Sequence, residues 1–123
     1  MQIVDIKEIV PYQGPYSGLL HRLVANPDTG FDQFEIVYGT LDKGLGGGMH
    51  SHPDSEKFQF VLEGLLEVTD TNGTVFQVPA GSGILFPKGE EHEAKNGYDG
   101  MTGFLVFYSP PRSDADKTKP KSK

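Results

Sequence analysis

Glycine and proline punctuate this chain so densely (16 Gly and 9 Pro, 25 of 123 positions) that short strands joined by tight turns are favoured over long helices. Short apolar runs separated by Gly, Pro, Asn and Asp recur at roughly 8–12-residue spacing, the rhythm of a sandwich or barrel, and no window sustains an apolar stripe of period 3.6. The expected fold class is all-β, with strands near 2–10, 19–26, 33–42, 57–63, 65–71, 74–78, 83–86, 91–95 and 101–109. Asn72-Gly73, between Leu65–Thr71 and Thr74–Val78, predicts a hairpin closed by a two-residue type I′ turn, whose central positions both need positive φ.

A chain of 123 residues suits one hydrophobic core. The expected division is a single β-barrel over 1–111 and a disordered charged tail over 112–123. No stretch approaches the roughly 20 apolar residues of a membrane span. The chain has no cysteine and no leader-like N-terminus, so the cytoplasm is the default location. Of 11 Lys+Arg and 17 Asp+Glu, the last twelve residues hold five basic and two acidic ones, leaving −9 on the rest. An acidic body repels nucleic acid and anionic membrane, so neither is expected as a partner.

Chemistry concentrates on histidine. Gly44-Leu45-Gly46-Gly47-Gly48 leads into Met49-His50-Ser51-His52 rather than the Gly-Lys-Ser/Thr ending of a phosphate cradle. His50 and His52, spaced i, i+2, share a face when the chain is extended. With Glu56 and His92 they make an N,N,O,N donor set suited to a divalent transition metal. His21 and Arg22 are adjacent on a strand, so at most one of them points inward.

The spacing around these residues resembles the two motifs of the cupin superfamily. The first reads Gly44, five residues, His50-Ser51-His52, three residues, Glu56, seven residues, Gly64, one residue longer after the glutamate than the family pattern. The second reads Gly81, five residues, Pro87-Lys88-Gly89, two residues, His92, three residues, Asn96, and matches at every position. The resemblance implies a double-sheet antiparallel β-barrel, a jelly roll, with His50, His52, Glu56 and His92 as metal ligands and Fe, Mn, Zn or Ni as the ion. It also implies a metal-dependent enzyme of the dioxygenase, isomerase, decarboxylase or lyase type, acting on a small polar or carbonyl-bearing molecule. The alternative is a non-catalytic module that binds a small molecule or senses a metal. A homodimer is expected, because an open sheet edge would otherwise lie unpaired.

The extra residue leaves two strand registers open. If Glu56 faces the histidines, Phe58 and Phe60 share its face and line an aromatic pocket. If the register is counted back from Gly64, then Lys57, Gln59 and Val61 face in and Glu56 faces solvent. A β-bulge near Ser55–Lys57 would reconcile the two. Glu56 is taken as the ligand, and Lys57, Phe58, Phe60 and Phe104 as the candidate substrate contacts.

Overall fold

The computed structural model describes residues 1–14 and 17–113. Nine strands run in chain order: β1 (Tyr12–Gln13), β2 (Leu19–Ala25), β3 (Glu35–Leu41), β4 (Glu56–Glu63), β5 (Leu65–Thr69), β6 (Val75–Pro79), β7 (Gly83–Phe86), β8 (Glu93–Asn96) and β9 (Thr102–Ser109). Six form one antiparallel sheet in the order β1-β2-β3-β9-β4-β7, and three form a second in the order β6-β5-β8. This is the expected jelly roll. No helix among the described residues is long and apolar enough to cross a membrane.

Alternation builds the interior. On β3 the buried positions are Glu35, Val37, Gly39 and Leu41, and on β9 Thr102, Phe104, Val106 and Tyr108, joined by the side-chain-less Gly103; Val37 pairs with Val106 and Gly39 with Phe104 across the ladder. The small sheet answers with Leu66, Val68 and Val78, so the core lies between the layers. Each such side chain contributes about 1.5–3 kcal/mol through burial. At Gly64 the chain turns from the large sheet to the small one with φ of 84°, and a Cβ there would collide with Thr102.

Three sequence expectations are corrected. Residues 2–10 form no strand: they are mostly exposed and hold one turn of 3-10 helix at Ile6–Glu8, capped by Asp5, because their apolar side chains find no sheet face to cover. The Asn72-Gly73 hairpin exists, but as a longer loop. Only Gly73 has positive φ (80°), while Asp70 accepts from Asn72 N and Thr74 N at 2.9 Å each. This is the turn-plus-bulge form rather than type I′. The division at 111/112 also falls too early. Arg112 is buried, its Nε donates to Glu35 Oε1 at 2.9 Å and its Nη2 to Glu35 Oε2 at 3.2 Å. The rest of the expected tail, 114–123, lies outside the described residues.

Candidate metal centre

His50 and His92 come from segments 42 positions apart and are joined by an isolated antiparallel bridge, each backbone N–H donating to the other's carbonyl at 2.9 Å. His52 follows two residues after His50 and is held by Gly89 N donating to its carbonyl at 3.0 Å. One potential ligand nitrogen from each ring lies within 4.8 Å of the others. His50 precedes β4 in irregular chain rather than on a regular strand, so the bridge to His92 supplies the extended geometry that the i, i+2 spacing requires.

The backbone fixes the orientation of two of these rings. His50 Nδ1 lies 2.9 Å from Gly48 O, and His92 Nδ1 lies 3.0 Å from Glu90 O. A carbonyl only accepts, so both Nδ1 atoms carry a proton, and in the neutral ring the lone pair then lies on Nε2. This is the outer-shell arrangement that prepares imidazole for a metal. Phe86 stacks on His92 at 3.9 Å between centroids, and Tyr108 meets His52 edge-on at 5.0 Å. Three imidazoles, buried or half-buried, form a donor set that fits a divalent ion of intermediate softness.

The fourth expected ligand is elsewhere. Glu56 is exposed on the outer side of β4, whereas Lys57 is buried and its Nζ lies 3.2 Å from His92 Nε2. The ladder explains the reversal. β4 pairs with β9 without interruption from Glu56 to Val61, so no bulge occurs at Ser55–Lys57; the irregularity falls between Val61 and Glu63. The register is therefore the one counted back from Gly64. Lys57 donates to the lone pair that His92 would offer an ion, and an ion on His92 would have to displace that ammonium.

Of the expected substrate contacts, Lys57 and Phe104 line the interior cavity. Phe58 and Phe60 do not. They share the outer face with Glu56, where the Phe58 ring packs against Phe107 at 6.0 Å and Phe60 at 6.2 Å. The cavity, about 50 Å³, also takes in His21, His50, Gln59, Tyr108 and Arg112. His21 is the inward member of its pair with Arg22, whose Nε instead reaches Ile9 O at 3.2 Å. Sequence reasoning did not select Gln59 or Arg112. Gln59 followed from the Gly64 register, but nothing local marked residue 112, since Glu35 is 77 positions away.

Burial disfavours the charge on Arg112, but Tyr108 and the two-point contact with Glu35 outweigh it, and its pKa is held above the usual arginine value. The guanidinium also lies over the Tyr108 ring at 4.3 Å. Asn96 is structural: its Nδ2 donates to Leu41 O (2.9 Å) and Gly100 O (2.7 Å), and its Oδ1 accepts from Tyr98 N and Thr102 Oγ1 (2.8 Å each).

Comparison with known proteins gives concordant results. Residues 37–108 match the family described as Cupin domain. Polyketide synthase CurC of Streptomyces cyaneus is 32% identical over 112 residues, which cover 89% of this chain and 70% of that protein. Quercetin 2,3-dioxygenase of Escherichia coli K12 is 40% identical over 53 residues, 42% of this chain and 23% of that protein. Among solved structures, the polyketide cyclase RemF from Streptomyces resistomycificus superposes with a TM-score of 0.80 at 23% identity, covering 91% of this chain and 81% of its own.

Proposed function

The chain belongs to the cupin domain family, and on that premise we propose that it is a metal-dependent enzyme. His50, His52 and His92 would hold a divalent Fe, Mn, Zn or Ni ion, and the barrel interior would receive a small polar or carbonyl-bearing substrate. One observation carries the reading: two imidazoles have their Nδ1–H groups committed to Gly48 O and Glu90 O, which turns their Nε2 atoms towards the barrel interior, that of His92 against Lys57 Nζ. A bound ion would supply Lewis acidity towards a substrate oxygen and, where the metal is redox-active, electron exchange with dioxygen. The relatives named as a polyketide synthase and a dioxygenase support an enzyme of this broad kind, with the reaction drawn from oxygenation, isomerisation, decarboxylation or lyase chemistry.

The chain's own residues supply the rest. Phe86 and Tyr108 shield the imidazoles and limit competing water. Lys57 places a cation beside His92, where it can hold a substrate oxygen once it leaves the imidazole. A homodimer belongs to the same reading, supported by the exposed Leu85 on edge strand β7, and light scattering tests it.

Elemental analysis of protein purified without a histidine tag is the direct experiment. About one transition-metal ion per chain in the wild type, lost in His50→Ala and His92→Ala, is expected. Metal-free protein that takes up no added Fe, Mn, Zn or Ni would sink the proposal. Turnover of small oxygenated acids, with and without dioxygen, then separates oxygenation from the other reactions.

A further inference from the structure

We propose that Gln59 is the specificity-determining residue of the interior site, selecting a small hydroxylated carboxylate whose hydroxyl donates a hydrogen bond to Gln59 Oε1. This rests on the reading of the barrel interior as a substrate site. Gln59 points inward from β4, is 3% exposed, and its Oε1 has no hydrogen-bond partner among the described residues. A buried amide oxygen without a donor is a destabilising feature that folded proteins seldom keep without a use. Its ladder partners are Val106 on β9 and Ile84 on β7, an apolar setting that an aliphatic side chain would fill without that penalty. The Asn96 amide shows the alternative, since both of its polar atoms are bonded within the protein.

The charge and size of the cavity narrow the ligand further. Lys57 and Arg112 line it; the Arg112 charge is matched by Glu35, so Lys57 sets the sign of the cavity, although the chain carries a net charge of −6. An acidic protein that places a lysine in such a cavity is suited to an anion there. A volume of about 50 Å³ suits a group of a few heavy atoms rather than a fused-ring body. An anionic oxygen facing Lys57 and a hydroxyl facing Gln59 satisfy these two neighbouring inward side chains of β4.

Glycolate and acetate, which differ by one hydroxyl and are both ionised at neutral pH, are the probes. Calorimetric titrations of each, into stripped and metal-loaded protein with metal content measured on the same samples, compare wild type with Gln59→Met and Gln59→Glu. Circular dichroism confirms folding, and Gln59→Leu replaces Gln59→Met if the latter fails to fold. The wild type is expected to bind glycolate at least about tenfold more tightly than acetate. Gln59→Met should bring the two within about twofold, mainly by weakening glycolate. Gln59→Glu keeps an acceptor, so it should weaken both anions yet retain the preference. Equal affinities in the wild type, no binding of either acid, or a preference that survives in Gln59→Met would overturn the proposal. A chain that prefers glycolate but takes up no metal would sink the metal reading and leave Gln59 in its role; a metal-loaded chain without preference would do the reverse.

Discussion

Two kinds of buried polar cluster sit in the same barrel, and they differ in where their hydrogen bonds go. Asn96 and Thr102, with the backbone of Leu41, Leu65, Tyr98 and Gly100, bond to one another at 2.7–3.2 Å. Glu35 and Arg112 likewise close on each other. The histidine cluster is arranged differently: the Nδ1–H groups of His50 and His92 are used on the backbone, while Lys57 and Gln59 line the interior and Gln59 Oε1 has no partner among the described residues. A cluster that satisfies itself ties strands together. One whose acceptors converge on a cavity is built for a guest.

Substitutions can break or sharpen that contrast. The largest effect is expected for Glu35→Ala, which leaves the buried Arg112 guanidinium without its partner and should lower unfolding free energy by about 3–5 kcal/mol in denaturant titration. Asn96→Ala removes four bonds at once and should destabilise by about 2–4 kcal/mol, with metal content per folded chain unchanged. The histidine cluster should respond the other way round. His50→Ala is expected to weaken metal binding at least a hundredfold, about 2.7 kcal/mol, while the denaturation midpoint of stripped protein moves far less than for Asn96→Ala. Should His50→Ala destabilise stripped protein as much as Asn96→Ala, the distinction between the clusters fails. Lys57→Met removes the donor competing for His92 Nε2 and should tighten metal binding by about tenfold, or 1.4 kcal/mol, in chelator-competition titrations. The smallest effect belongs to Glu56→Ala: metal affinity should stay within about twofold of wild type, and a large loss would place the carboxylate back among the ligands.

Much of this arrangement is legible in the sequence, because it depends on spacing. The punctuation by glycine and proline marks most of the strands, and the intervals around His50, His52 and His92 mark the residues that converge. The N-terminal segment misled because Ile3, Val4, Ile6 and Ile9 look strand-like, yet sheet formation depends on a partner edge that local sequence does not describe. Glu56 misled for a related reason. Phe58 and Phe60 are more apolar than Lys57 and Gln59, so local hydrophobicity argued for the wrong face of β4.

The sequence by itself determined the all-β class and the three imidazoles brought to one place, since alternation and motif spacing are properties of the chain's order. Only the tertiary structure decided that Lys57 and Gln59 face the interior while Glu56 and Phe58 do not. That choice is set by the ladders of β4 with β7 and β9, where a shift of one residue exchanges every inward side chain for its outward neighbour. It also placed Arg112 in the barrel, through an ion pair between residues 77 positions apart whose attraction exists only once the sheet has formed.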